Sequence, residues 1–269
     1  MKKFFAIALA VILLLSVVAC SKDNETEGEG EATTVAQDAV YTDASGADAF
    51  TYVVNEDGSY DIKGFSSTNI APHKVEIPSS INNIEVTGIA ADAFKACNQI
   101  SEIVIPDSIT AIGDCAFARA DYLTKVTMSN SVKTLGSAVF DGCKVLADVT
   151  LSGGLETLSD YTFRNCIALE TITLPATLKE IGDGAFFGCT ALKNVTLNDG
   201  LKTIGDGAFY GDTALEKIAV PASVENFGAH VFKACNENFT IVAAAGSAAA
   251  AHAESNEYKF EDPAATPAE

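Results

Sequence analysis

Basic residues are scarce in this sequence. Its 269 residues include 17 lysine and arginine residues against 36 aspartate and glutamate residues, which gives a formal net charge of −19. A folded chain with this charge repels the phosphate groups of nucleic acids. We therefore expect no nucleic-acid partner.

The residues that catalysis and metal binding use most often are also few. The three histidines, His73, His230 and His252, are scattered along the chain, with no Gly-x-Ser-x-Gly elbow and no histidine pair at metal-binding spacing. None of the seven cysteines forms a Cys-x-x-Cys pair, which argues against a zinc site of that type. We expect no enzyme activity, no metal and no cofactor.

The long hydrophobic run at the N-terminus is short for a membrane span. Lys2 and Lys3 precede about fifteen apolar residues over positions 4–18. The run ends in Val-Val-Ala-Cys at Cys20, which resembles the lipobox of bacterial lipoproteins. This resemblance implies a signal peptide over residues 1–19 and a diacylglycerol on the Cys20 sulfur; an ordinary secretory peptide with a chance cysteine is the alternative. Because the mature chain is acidic, acyl chains rather than anionic headgroups would hold it at the membrane.

The next segments predict a tether and a cap. Residues 20–48 are acidic and small, with too few large apolar side chains to offset the entropy of ordering, so we predict a flexible tether. Its acidic start resembles the signal that sends lipoproteins of Bacteroidetes to the cell exterior; a soluble spacer is the alternative. Two alternating apolar runs around Asp57-Gly58 then predict an N-terminal β-hairpin cap over residues 49–72.

The rest of the chain repeats itself every 23 residues. Six copies begin at residues 101, 124, 147, 170, 193 and 216, after a longer unit that begins at His73. Counting each copy as repeat positions 1–23, apolar residues recur at positions 3, 5, 9, 12, 16, 17 and 23. Position 17 is phenylalanine in every unit: Phe94, Phe117, Phe140, Phe163, Phe186, Phe209 and Phe232. One such unit cannot bury a core alone, so the period predicts a solenoid of about seven stacked coils. The alternation at positions 3 and 5 predicts a short strand in each coil and hence a parallel sheet.

Two further columns of residues also indicate architecture. Gly182, Gly184 and Gly188 resemble a phosphate loop, but the same phrase recurs 23 residues later, as a turn must and a site seldom does. Glycine at position 13 predicts a backbone angle that side chains disfavour. Position 20 holds a column of cysteines that we interpret as buried free thiols, with disulfides between coils as the alternative: Cys97, Cys143, Cys166, Cys189 and Cys235. Cys115 lies outside this column and is the thiol most expected to be exposed.

The repeat as a whole, L-x-x-[IV]-x-[LI]-P-x-x-[LIV]-x-x-I-G-D-x-A-F-x-x-C, resembles the BspA-like, or Treponema pallidum-type, leucine-rich repeat. The resemblance covers residues 73–238 and implies a β-rich leucine-rich-repeat solenoid. Residues 239–261 resemble the closing strand and short helix of this family, with Ser247 as helix cap, and residues 262–269 are predicted to be a disordered tail. Departures from the pattern are Ala90 and Ser159 in place of glycine, and Asp212 in place of cysteine.

Two groups of residues are candidates for binding. Positions 2 and 4 of the predicted strands point outward, and solenoids often bind across such a sheet; they hold Lys125, Thr127, Asp148, Thr150, Thr171, Thr173, Asn194 and Thr196. The alternative is that threonine simply suits exposed strands. Phe187 and Tyr210, both at position 18, should lie side by side on neighbouring coils, where they could anchor a partner or only pack over the coil edge.

The family resemblance implies a surface protein that contacts other molecules, as in adhesins and proteins of coaggregation. It is specific for the fold and not for the ligand. We therefore expect a lipid-anchored monomer on the outer surface of the bacterial cell envelope that binds host or neighbouring-cell proteins or glycans. A passive spacer or scaffold component of the envelope is the alternative.

Overall fold

The computed structural model describes residues 39–43 and 46–264. The predicted signal peptide, Cys20, most of the tether and the end of the tail lie outside these residues. The described chain is a parallel β-solenoid built on the 23-residue period, which confirms the predicted fold class.

An antiparallel cap begins the fold. β1 (Ala39–Thr42) pairs with β2 (Asp48–Val54), and β2 pairs with β3 (Tyr60–Ser67) across the turn at Gly58. The predicted hairpin is confirmed, but β1 falls in the segment that the sequence analysis assigned to the tether. β1 was missed because it is held by main-chain pairing to β2 and offers little apolar alternation: Val40 is exposed and Tyr41 packs partly against the core.

The coils follow with two strands in most of them. In chain order these are β4 (His73–Glu76), β5 (Ser80–Ile81), β6 (Ile84–Ile89), β7 (Ile100–Ile105), β8 (Ala111–Ile112), β9 (Lys125–Met128), β10 (Thr134–Leu135), β11 (Asp148–Thr150), β12 (Thr157–Leu158), β13 (Thr171–Thr173), β14 (Glu180–Ile181), β15 (Asn194–Thr196), β16 (Thr203–Ile204), β17 (Lys217–Ala219), β18 (Asn226–Phe227), β19 (Thr240–Val242) and β20 (Lys259–Glu261).

The solenoid has three sides, two formed by strands and one formed by turns. The long-strand side carries β4, β7, β9, β11, β13, β15, β17, β19 and β20, nine successive rungs, because the C-terminal cap continues the ladder beyond the seven predicted coils. The short-strand side carries β6 and the even-numbered strands from β8 to β18. The turn side consists of repeat positions 13–22. Here the N–H groups of positions 15, 17 and 19 donate to carbonyls of the next coil, as Phe163 does to Ala185 at 2.7 Å.

The phenylalanine ladder forms the centre of the core. All seven rings at position 17 are almost fully buried. Neighbouring rings stack with centroids 4.9 to 5.5 Å apart. Phe65 in the N-terminal cap and Phe239 in the C-terminal cap close the ladder at its two ends. The prediction of a buried ladder is therefore confirmed.

The reason given for glycine at position 13 is wrong. The positive φ angles lie at positions 15 and 19, as in Tyr161 (56°) and Asn165 (58°), and not at position 13. Position 13 is glycine because the coils approach each other there: a Cβ on Gly182 would lie 2.7 Å from the backbone nitrogen of Asp160. A contact this short with backbone cannot be relieved by a rotamer change.

Aspartate at position 14 also has a structural role that the sequence analysis did not identify. Asp160 Oδ1 accepts a hydrogen bond from the N–H of Asp183 at 2.9 Å, and Asp183 Oδ1 accepts from Asp206 at 2.7 Å. Each carboxylate thus satisfies a backbone donor of the following coil, which explains why the Gly-Asp pair recurs.

The coil over residues 147–169 interrupts both strand ladders. β10 does not pair with β12, and β11 does not pair with β13. Ser159 replaces the position-13 glycine here, and its hydroxyl donates to the Leu135 carbonyl at 2.6 Å. In the next coil the N–H of Gly182 makes the equivalent bond to Leu158 at 2.7 Å. We attribute the opening between β10 and β12 to the serine side chain, which occupies the space that glycine leaves to the neighbouring coil.

The C-terminal cap agrees with the predicted strand and helix. β19 is followed by helix α1 (Ala248–Ser255), whose N-cap Ser247 accepts a hydrogen bond from the N–H of Ala250 at 3.2 Å. His252 stacks on Phe227 with ring centroids 4.4 Å apart, and burial lowers its pKa. The same imidazole meets Phe232, the last phenylalanine of the ladder, edge-on with ring centroids 6.1 Å apart, and its lowered pKa favours the neutral form.

Candidate binding surfaces

The threonine-bearing face lies where the sequence placed it, on the outside of the long-strand side. In the pairing register, Thr127 lies beside Thr150 and Thr173 lies beside Thr196. Asp148, Thr171 and Asn194 are exposed, whereas Lys125 is half-buried. The face is not continuous, because the sheet is interrupted between β11 and β13 and again between β15 and β17.

Charged side chains on this face are largely paired with each other. Lys125 contacts Asp148, Lys193 contacts Glu170, and Lys217 contacts Glu261. Each pair joins different coils in a solvent-exposed position, where such pairs contribute little to stability. These three lysines are therefore already paired with carboxylates within the chain.

A shallow cleft of about 460 Å³ opens at the first interruption of this sheet. The cleft is lined by Val149 of β11, Leu151 just after it and Ile172 of β13, together with Thr150 and Thr173. Val149 and Leu151 are half-buried, whereas Ile172 and Leu174 of the next coil are buried. The interruption thus exposes part of the apolar interior between two columns of the candidate face.

Exposed large apolar side chains of the six regular repeat copies lie on a different side. Within residues 101–238 these side chains all occupy repeat positions 15–22, on the turn side: Tyr122, Val145, Tyr161, Ile167 and Phe187. The repeat pattern indicated Phe187 among them but not Tyr161. The sequence feature that could have indicated the exposed Tyr161 is the glycine at position 15 of the next coil, which leaves room for a large ring beside it.

Phe187 and Tyr210 form a stacked pair on the turn side. Their ring centroids are 4.8 Å apart and their planes are 3° from parallel. Phe187 is 37% exposed and Tyr210 is half-buried, so neither ring is withdrawn into the core. The pair therefore remains a candidate contact surface, as the sequence suggested.

Tyr161 and Arg164 extend this pair into the preceding coil. The Arg164 guanidinium lies over the Tyr161 ring, 4.8 Å from its centroid, and makes two hydrogen bonds to Asp141 at 2.8 and 2.7 Å. The Tyr161 ring lies directly against Gly184, where a Cβ would collide with it. We call Tyr161, Arg164, Phe187 and Tyr210 the aromatic strip.

A row of carboxylates borders the aromatic strip. Asp160, Asp183 and Asp206 are exposed, occupy position 14 of successive coils, and precede Tyr161, Gly184 and Gly207 in the chain. One oxygen of each carboxylate accepts a backbone N–H of the next coil. We call these three residues the carboxylate column.

The cysteine column is structural. The Sγ–H groups of Cys143, Cys166, Cys189 and Cys235 donate to the carbonyls of phenylalanines in the preceding coil at 3.0 to 3.2 Å. These four are free thiols, and burial raises the pKa of Cys143 and of Cys235 to about 12, so neither is a thiolate at neutral pH. The prediction of free thiols is wrong for Cys97, which is buried but disulfide-bonded. Cys115 is half-buried rather than exposed.

Asp212 occupies this column in place of cysteine. It is fully buried; its Oδ1 accepts the N–H of Cys189 at 2.8 Å, while its Oδ2 has no hydrogen-bond partner. Burial raises the pKa of Asp212 well above its ordinary value. The side chain is therefore a protonation-sensitive point inside the stack.

The described residues contain neither a metal-binding cluster nor a membrane-spanning helix. Across residues 39–43 and 46–264, no group of three histidine, cysteine or acidic residues is arranged to hold a metal ion. In the same part of the chain, no helix combines the length and apolar composition needed to cross a bilayer.

Comparison with known proteins identifies the repeat. The family model for the BspA type leucine-rich repeat region matches residues 62–175 and 156–245 with six copies. The chain belongs to the BspA-type leucine-rich repeat family. Proteins of this repeat are binding scaffolds in general, which agrees with the open faces of the described coils.

Two solved structures show the same architecture. A leucine-rich cell surface protein from Faecalibacterium prausnitzii is 29% identical, with a TM-score of 0.65, and the match covers 76% of this chain. This chain spans only about half (54%) of that protein. A leucine-rich repeat protein from T. pallidum is 26% identical, with a TM-score of 0.64, over 79% of this chain and 95% of its own. No curated protein sequence matches the chain.

Proposed function

We propose that this BspA-type leucine-rich repeat protein is a lipid-anchored bacterial surface protein that binds proteins or glycans of host or neighbouring cells. The observation that carries the proposal is the location of the exposed large apolar side chains of the regular repeat copies, which share the turn side of the solenoid. Exposed apolar groups gathered on one side of a soluble protein mark an interaction surface. Membership of the family and similarity to a protein described as a cell surface protein support the same conclusion.

The anchor is proposed from sequence alone. Cys20 follows the apolar run of an export signal at the position where lipoproteins are acylated. Growth of the native organism with labelled palmitate should label the wild-type chain and leave a Cys20→Ala variant unlabelled. A wild-type chain without label would refute the anchor.

The threonine-bearing face is the second proposed contact surface. Replacing Thr150, Thr173 and Thr196 together by Glu places three charges on exposed strand positions without touching the core. If this face binds the partner, attachment of purified protein to target cells should fall; the matched control is the triple replacement by Ser. Unchanged attachment would remove this face from the binding surface and leave the turn side.

A passive spacer or scaffold of the envelope remains the competing function. A spacer needs only a stiff rod, and this function does not require exposed apolar residues on one side of the solenoid. Replacement of Tyr161, Phe187 and Tyr210 by Ala separates the two functions, because a spacer should tolerate these changes with no loss of phenotype. Loss of cell attachment in this variant, with the protein still folded and present at normal levels, supports binding.

A further inference from the structure

The neighbouring residues leave the rings of the aromatic strip on the surface. Gly184 has a φ of +56° and lies directly under the Tyr161 ring, and the corresponding Gly207 lies 4.0 Å from Phe187 at its prospective Cβ. Gly184 thus leaves the space in which the Tyr161 ring lies along the turn side, whereas a Cβ on Gly207 would make only an ordinary van der Waals contact with Phe187. Position 18 holds Ala118 and Lys233 in other coils, so the solenoid does not need an aromatic residue there for packing.

The geometry of the rings decides between classes of ligand. A sugar ring stacks on an open aromatic face. Phe187 and Tyr210 are parallel at 4.8 Å and cover one face of each other, so a sugar ring could stack only on the outer face at either end of the pair. Ring edges and an adjacent tyrosine hydroxyl suit the apolar and polar side chains of a protein, and tyrosine and arginine are the residues that dominate protein interfaces.

The negative charge beside the strip favours a partner that carries positive charge. Asp160, Asp183 and Asp206 form a column one coil apart; each is exposed and uses only one carboxylate oxygen, Oδ1, for its bond to backbone. Arg164 does not neutralise this column because its guanidinium is already held by Asp141. With a net charge of −19, the whole chain also attracts cations from a distance.

The strip contains its own example of the contact. Arg164 lies over an aromatic ring while a carboxylate holds its guanidinium, within one chain. The next two coils also carry a ring and a carboxylate, at other repeat positions: Phe187 and Tyr210 at position 18, and Asp183 and Asp206 at position 14. Neither coil has a basic residue of its own at position 15 or 18. Lys233 follows at position 18 and ends the strip.

We propose that the aromatic strip and the carboxylate column form one docking site for a basic polypeptide segment, in which an apolar side chain packs against Phe187 and Tyr210 and flanking lysine or arginine side chains pair with Asp183 and Asp206. This inference rests on the proposed binding function and specifies its partner. The site belongs to the turn side and is independent of the threonine-bearing face.

Two double variants remove the two parts of the site without unfolding the coil. Phe187→Ala with Tyr210→Ala introduces alanine at position 18, where another coil already has alanine, Ala118. Asp183→Asn with Asp206→Asn removes both charges, while the amide oxygen can still accept the backbone N–H that each carboxylate caps. The matched control is Glu180→Gln with Glu216→Gln, which removes two exposed charges from the strand sides.

The test is selection of a random peptide library on the mature, unlipidated chain. We expect enriched peptides to carry lysine or arginine next to an apolar residue, to lose about tenfold or more in affinity with either double variant, and to weaken as salt rises. The glutamate control should bind like the wild type. Thermal unfolding of all three variants should lie close to that of the wild-type chain.

Four outcomes would overturn the inference. Absence of any enriched peptide, or enriched peptides without net positive charge, contradicts a basic polypeptide partner. Peptides that bind both variants normally but lose binding when Thr150, Thr173 and Thr196 become Glu would place the contact on the threonine-bearing face and leave the proposed function intact. Binding of a neutral oligosaccharide array that depends on Phe187 and Tyr210 would assign the strip to glycans.

Discussion

The backbone N–H of Cys189 donates to Asp212 Oδ1 at 2.8 Å, in the column where the other coils present thiols. A thiol donates to a carbonyl of the preceding coil, which an ionised carboxylate cannot do, and Asp212 Oδ2 is left without a partner. The chain thus tolerates a buried acid in place of a small, weakly polar side chain.

Replacing Asp212 by Cys or Asn should stabilise the protein at neutral pH. Burial raises the pKa of Asp212 in the folded state above its unfolded value, so its contribution is fully favourable below about pH 4 and is lost as pH rises through the folded pKa. We expect the variants to exceed the wild type by about 1–3 kcal/mol at pH 7, and by less toward pH 4. Urea unfolding across this range measures the difference. A gap that does not change with pH would contradict a buried, titrating Asp212.

Removing one ring from the middle of the phenylalanine ladder should be costly. Phe163 is fully buried between Phe140 and Phe186, so Phe163→Ala should reduce the free energy of unfolding by about 3–5 kcal/mol. Phe187→Ala is the matched control, because this ring is exposed and should cost about 1 kcal/mol or less. Equal effects of the two changes would show that the ladder is not the core.

Glycine at position 13 should tolerate substitution less well than glycine at position 19. A Cβ on Gly182 meets backbone of the preceding coil at 2.7 Å, whereas a Cβ on Gly211 has only Gly188 at 3.9 Å. We expect Gly182→Ala to cost more than about 2 kcal/mol, and Gly211→Ala about 1 kcal/mol from its positive φ alone. The free energies of unfolding of the two variants provide the comparison; a larger effect at Gly211 would restore backbone angle as the main requirement.

Ser159 should be replaceable by glycine but not by alanine. Alanine keeps the Cβ that separates β10 from β12 and loses the hydroxyl bond to the Leu135 carbonyl, so it should cost about 1–2 kcal/mol. Glycine allows the N–H bond that Gly182 makes, so it should be close to neutral. Hydrogen exchange should show new protection at residue 159 in the glycine variant; equal destabilisation by both substitutions would mean that Ser159 does not cause the interruption.

The sequence predicted those parts of the fold that repeat. Phe163 and its equivalents recur at one position, so a single periodic pattern fixes the core and the coil length. The pattern could not show why residue 182 is glycine. Glycine allows close approach of two coils at one repeat position and a positive φ at two others, and the sequence does not distinguish these reasons. The interruption at Ser159 and the exposure of Tyr161 arise from contacts between single residues of neighbouring coils. A repeat pattern describes what the coils share and so does not predict such contacts. β1 was missed because its backbone pairing requires little apolar side chain.

The candidate surfaces were predicted unevenly for a related reason. Outward positions of a strand follow from alternation, so Thr150 and Thr173 are exposed as expected. The carboxylate column was not predicted as a border of the strip, because the path of the turn side from position 14 to position 18 cannot be derived from periodicity alone.

The most direct test of a surface binding role is protease treatment of intact cells of the native organism, followed by immunodetection of the chain. We predict that the solenoid is stripped from intact cells, while a periplasmic marker protein survives. Survival of the chain until the envelope is broken would place it inside, contradict a role in binding other cells, and favour a scaffold within the envelope.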